Sequence, residues 1–221
     1  MKKIVCFLTF MIFLLGCGSS KQIPDWTNIS FNQLENYKKS YLIGKDNIAE
    51  LHFNRAVDEI KKSGDLEVLE KAYLTKYAVQ VSVLESFDDR EYLAMESIQP
   101  VLQNSNFYLF LKGSFDKVDE KLLPRQYSGF LSVCRNGKSQ DIMPEIAKMD
   151  DPLSKLITIG LLVRNNTYDE DIIKIAIDAA SKNGWKKALL AYFYKLQYLY
   201  ETKKDMEKAD AVRQKINLIK K

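Results

Sequence analysis

Residues able to carry chemistry are few in this chain and widely spaced. Its one histidine, His52, has no second histidine or cysteine at metal-binding spacing. It lies beside a helical apolar face that includes Phe53, where a structural role is expected. The cysteines are Cys6, Cys17 and Cys134. A Cys134–His52 nucleophile and base is conceivable in three dimensions, but nothing in the sequence supports it. Ser114-Phe115-Asp116-Lys117 has the bare Ser-x-x-Lys spacing of serine acyl-transfer chemistry, without the companion Ser-Asp-Asn and Lys-Thr-Gly elements. Asp88-Asp89, Asp150-Asp151 and Asp169-Glu170-Asp171 all precede apparent helices, where capping accounts for them. Gly-x-Ser-x-Gly, His-Glu-x-x-His and a glycine-rich phosphate loop are missing. The expectation is a protein that is not an enzyme, with no metal site and no dissociable cofactor.

The N-terminal end of the chain carries a different signal, which ends at Cys17. Lys2 and Lys3 lead into an apolar run from Ile4 to Leu15, followed by Gly16 and Cys17. A basic start, a short apolar stretch and small residues at a processing point make an export signal. The run is too short for the roughly 20 residues a membrane-spanning helix needs. The ending Leu14-Leu15-Gly16-Cys17 resembles the lipobox of bacterial lipoproteins. The resemblance implies that residues 1–16 are a cleaved signal peptide and that Cys17 is acylated and becomes the first mature residue. An ordinary secretory signal ending near a cysteine is the alternative. Residues 17–29, containing Pro24, are read as the lipidated cysteine and its tether. Two or more acyl chains hold a protein stably at a membrane, whereas one holds it marginally. Gly18, rather than Asp, follows the cysteine; by resemblance to enteric diderm bacteria this points to the outer membrane, facing the periplasm.

Composition bounds the rest. The mature chain of 205 residues suits one large domain or one continuous helical array, here residues 30–221. With 46% hydrophobic and 28% charged residues, it is expected to be folded. Without Lys2 and Lys3 it holds 31 basic and 29 acidic residues, about +2, which makes no general case for nucleic acid. The end of the chain is locally basic, from Lys203 and Lys204 to Lys220 and Lys221. A solvated terminal helix explains that first, and a contact with anionic lipid or an acidic partner second. Cys134 is alone once Cys6 is removed and Cys17 is lipidated, so no disulfide is expected within the mature monomer. It is expected to be a small buried residue near a helix end.

Helical periodicity dominates the remaining sequence. Ala49, Phe53, Ala56, Val57 and Ile60 form one helical face. Asn47 with Glu50 is read as a capping box, and Gly64 as the stop. Asp65 caps a helix from Leu66 to about Glu85 that carries apolar residues on more than one side, as in the middle of a helical stack. Ser86 with Asp89 starts the next, which Pro100 closes. Asp151-Pro152 heads Leu153 to Val163. Thr167 with Glu170 is read as another capping box, and that helix stops at Asn183-Gly184. Two more run from Trp185 to about Thr202 and from about Met206 to the end. The stretch 104–139 is broken by Gly113, Pro124, Gly129 and Gly137, and Phe107 to Leu111 is open to an extended alternative.

At the C-terminal end, Tyr200, Asp205, Met206 and Ala209, with Phe193 and Leu196 before them, resemble the tetratricopeptide helix-turn-helix. Phe53, Ala56, Gly64, Asp65, Leu66 and Tyr73 make a looser second copy. Gln197 stands where a small glycine is expected and Leu69 where an alanine is. A regular 34-residue repeat does not continue through the middle. The fold class expected is all-α, with antiparallel helix pairs stacked as a short tetratricopeptide-like solenoid or an irregular array. Such a resemblance implies protein binding. Tyr194 and Tyr198, at i and i+4, either pack between neighbouring helices or line an exposed contact surface with Lys203 and Lys204 as a charged rim. The function expected is a membrane-anchored scaffold or adaptor for a protein partner. The alternatives are a surface-exposed adhesin or antigen and, behind it, a cell-wall-related enzyme.

Overall fold

The computed structural model describes residues 24–136 and 141–221. The segment expected to be a signal peptide, Cys17 and most of the expected tether, together with Gly137, lie outside them. Among the described residues the chain forms eleven α-helices and three 3₁₀ turns, and no strand. The helices are α1 (Asp25–Leu42), α2 (Asp46–Lys61), α3 (Leu66–Ser82), α4 (Arg90–Ile98), α5 (Leu102–Leu111), α6 (Ser128–Asn136), α7 (Ile142–Ala147), α8 (Pro152–Arg164), α9 (Glu170–Lys182), α10 (Lys186–Thr202) and α11 (Met206–Lys220). None is long and apolar enough to cross a membrane.

The periodicity is realised as hairpins: α1 packs on α2, α9 on α10, and α10 on α11. The array is irregular because its middle is not sequential. α3 packs against α8, and α8 hands on to α9, while α10 returns to touch α1. The intervening helices α4–α7 form a side lobe that joins the array through α3 and α8. α3 is the helix with apolar residues on several sides. Its Leu69, Ala72, Leu74, Tyr77, Val79 and Val81 are all buried, which requires neighbours on more than one face. The α3–α8 crossing depends on Gly160. A Cβ there would collide with the Val81 carbonyl oxygen, so the missing side chain sets how closely the backbones approach.

Among the described residues, four aspartates cap α-helices with their side chains. Asp65 accepts from the Val68 N–H at 3.0 Å, Asp151 from Ser154 at 2.8 Å, Asp169 from Ile172 at 2.9 Å and Asp205 from Lys208 at 3.3 Å. Gly64 and Gly184 take the left-handed conformation at their helix ends. Other boundaries differ from those the sequence suggests. Asn47 lies inside α2, and Glu50 pairs with Lys76 of α3 at 3.0 Å instead of closing a capping box. Asp169, not Thr167, is the cap of α9, which frees Glu170 to pair with Lys174 and accept from the Tyr200 hydroxyl. Asp89 uses its carboxylate on Tyr108 and Lys112 and does not cap α4, whose first N–H, that of Arg90, donates to Asp88 at 3.2 Å. α3 stops at Ser82 because Leu84 turns left-handed, with φ 64°. Residues 25–29, assigned to the tether, are the first turn of α1, entered through Pro24 with φ −56°. Phe107 to Leu111 is helical, as part of α5.

Candidate interaction surface

α10 has two unlike faces. Ala188, Tyr192, Phe193, Leu196 and Tyr200 are buried and attach it to its neighbours. Tyr194 and Tyr198 point away from that side and are 44% and 56% exposed. Of the two arrangements the sequence leaves open for this pair, the exposed one is found. Each ring carries an ammonium group. Lys220, from the end of α11, lies 5.3 Å from the Tyr194 ring centre, and Lys195 lies 5.2 Å from that of Tyr198. Lys195 also lies 4.7 Å from the ring of Tyr168, in the α8–α9 connection, so the aromatic face has a third member that helical spacing within α10 does not reveal. Cation–π contacts at such exposed sites contribute about 0.5–1 kcal/mol each.

Lys203 and Lys204 are exposed on the turn between α10 and α11. Their backbone closes the helix: the Asp205 N–H reaches back to the Tyr200 carbonyl at 2.9 Å and Lys204 N–H to Glu201 at 3.0 Å. Lys204 has φ 60°, in the left-handed region. At four other turns of this fold that position holds glycine (Gly44, Gly64, Gly113 and Gly184), and at two it holds Leu84 and Asn166. A side chain there costs roughly 1–2 kcal/mol relative to the right-handed conformation.

The remaining candidates are dispersed. His52 Nδ1 lies 2.7 Å from Gln33 Oε1, linking α2 to α1, in agreement with a structural role. Cys134 is half-buried on α6, beside a cavity of about 230 Å³ lined by Phe115, Val133, Ile142, Leu162, Asn165 and Thr167. Neither Ser114, Lys117 nor His52 lines it. Burial alone pushes the Cys134 thiol up to about 12, so it is protonated at neutral pH. Ser114 and Lys117 sit at a 3₁₀ turn, with Lys117 exposed.

A second cluster has no local sequence signal. Lys187, on the first turn of α10, reaches Asp46 at 2.9 Å and Glu85 at 3.0 Å. The Tyr41 hydroxyl donates to Glu85, and burial is the main cause that pushes this phenol up to about 12. The groups come from α1, the start of α2, the α3–α4 connection and α10, so only the fold brings them together. Compared with models of known families, with curated proteins and with solved structures, the chain has no significant match.

Proposed function

We propose that this protein is a lipid-anchored envelope protein whose helical domain holds a protein partner close to the membrane without performing a reaction. One observation carries the partner-binding part. A helix buried along one side presents an i, i+4 tyrosine pair on the other, each ring next to a lysine. Tyrosine offers large, rigid contact area at low entropic cost and keeps a polar tip for hydrogen bonding, which is why it is enriched at interfaces. The anchoring part rests on the Leu14 to Cys17 element and on the short connection from it to α1. Eight residue steps separate Cys17 from Asp25, so the start of α1 lies at most about 29 Å from the lipidated residue.

The anchor is tested by Cys17→Ser. Fatty-acid labelling should vanish and the protein should leave the membrane fraction; labelling that persists would end this part of the proposal. Crosslinking in whole cells followed by purification tests the scaffold. A protein partner should be enriched over an unrelated lipidated control, and the enrichment should fall for Tyr194→Ala with Tyr198→Ala. Equal recovery from the control would remove the scaffold function.

A further inference from the structure

The chemistry of the partner follows from how charge is divided along the fold, given the scaffold role of the α10–α11 face. Residues 186–221, which form α10 and α11, carry 10 basic and 4 acidic side chains, a net +6. Residues 25–185 carry 20 basic and 25 acidic side chains, a net −5. The nearly neutral total therefore conceals a polar molecule with its positive end at the C-terminal hairpin. Three of the ten cations are used internally: Lys187 with Asp46 and Glu85, Lys208 with Asp205, and Arg213 with Glu201 and Asp210. The other seven have no carboxylate at ion-pair distance among the described residues. Two of these, Lys195 and Lys220, lie by the exposed rings, and a third, Lys204, occupies its left-handed position at a conformational cost.

We propose that the α10–α11 face binds an acidic segment of a protein partner, its carboxylates meeting Lys195, Lys203, Lys204 and Lys220 while its apolar atoms lie on Tyr194 and Tyr198. Arranged this way, ring and ammonium are offered together, so both halves of an acidic amphipathic segment are matched at once. An anionic membrane is the poorer occupant. Glu201, Asp205 and Glu207 lie among the lysines of this hairpin, and a plane of headgroups would meet them all, whereas a polypeptide can place carboxylates at individual ammonium groups. The distinction operates within about 8 Å at physiological salt.

The test places a photo-crosslinking phenylalanine analogue at position 198 of the full chain in cells, with the same residue at position 98 as a control. Ile98 is 73% exposed and lies on α4. Crosslinks from 198 should map to a segment of another protein that carries net negative charge. Lys203→Glu with Lys204→Glu should lower that yield about tenfold, the scale on which rim charges change association at low salt. Lys204→Gly, which keeps the turn, should lower it less while raising the melting temperature. A contacted segment that is neutral or basic, crosslinks to lipid alone, or crosslinks to a second copy of this chain would each overturn the proposal. Protein crosslinks from 98 and none from 198 would overturn it and leave the scaffold function standing. None from either position would remove both.

Discussion

The ammonium group of Lys187 sits 3.7 Å from the centre of the Tyr41 ring while it pairs with Asp46 and Glu85. One side chain thus ties α10 to α1, α2 and the α3–α4 connection, and its position is 141 residues from that of Asp46. Lys187→Met keeps the aliphatic stem on Tyr41 but leaves Glu85 with only the Tyr41 hydroxyl. The expected cost is about 1–3 kcal/mol, read as a lower denaturant midpoint. An unchanged midpoint would mean that the cluster is solvated and contributes nothing.

Tyr192 and Tyr194 are two residues apart and should behave oppositely. Tyr192 is fully buried and donates to the Leu156 carbonyl at 3.0 Å. Tyr192→Ala should cost about 3–5 kcal/mol, as expected for a buried aromatic. Tyr194→Ala and Tyr198→Ala should each stay within about 1 kcal/mol of the parent and lower partner recovery instead. Thermal melting and crosslinking measured on the same variants separate packing from contact. A large melting drop at Tyr194 or Tyr198 with intact recovery would exclude them from the partner surface.

Glu70 makes stability depend on pH. It is completely buried on α3, where its Oε2 accepts from the Asn104 amide at 2.7 Å and its Oε1 has no partner. Burial raises its pKa, with Glu96 on α4 and Glu67 adding to the rise; the Asn104 hydrogen bond and Lys71 oppose it. A carboxyl raised in the folded state binds its proton more tightly there than in the unfolded chain. Its contribution is therefore most favourable below the unfolded value and is lost as pH rises through the folded one. Glu70→Gln should be more stable than the parent at pH 8 by on the order of 1 kcal/mol, and the gap should close towards pH 4. Denaturant midpoints at both pH values check this; a gap that widens on acidification would reverse the assignment.

Cys134 should resist alkylation. With its thiol pushed up to about 12 and half-buried, the thiolate fraction at pH 8 is on the order of 10⁻⁴. Iodoacetamide should modify it at least about a hundredfold more slowly in the native protein than in urea, where the ordinary value near 8.5 returns. Equal rates would show that the helix end opens freely.

Much of the fold was legible because helix signals are local. Asp65 and Asp151, read as caps, each sit three residues before the N–H they accept from, and the apolar face of α2 recurs at 3.6-residue spacing. The errors have physical causes of the same kind. Asn47, Thr167 and Ser86 fit capping patterns, but their acidic companions Glu50, Glu170 and Asp89 had better partners on other helices. Tertiary pairing of this sort leaves no trace in spacing. On the surface, the tyrosine pair of α10 was legible as a pair, but which side faced solvent was not, because that depends on where α9 and α11 pack. Tyr168 joins the same face through Lys195 from outside the helix, so periodicity could not include it.

The Gly160–Val81 approach has a consequence for how the chain reaches its structure. In a linear stack each helix meets its neighbour in sequence, so folding can begin anywhere and spread. Here the central contact joins positions 81 and 160, and the whole of α4–α7 must be looped between them before α3 meets α8. Closing a loop of that length is paid for in chain entropy before any packing is gained, and topologies rich in such distant contacts fold slowly. The α9–α11 hairpins can form on their own local contacts, but the seat that α8 offers them is finished only when residues 66–82 arrive. The contact at the middle of this protein thus waits on a loop of nearly eighty residues.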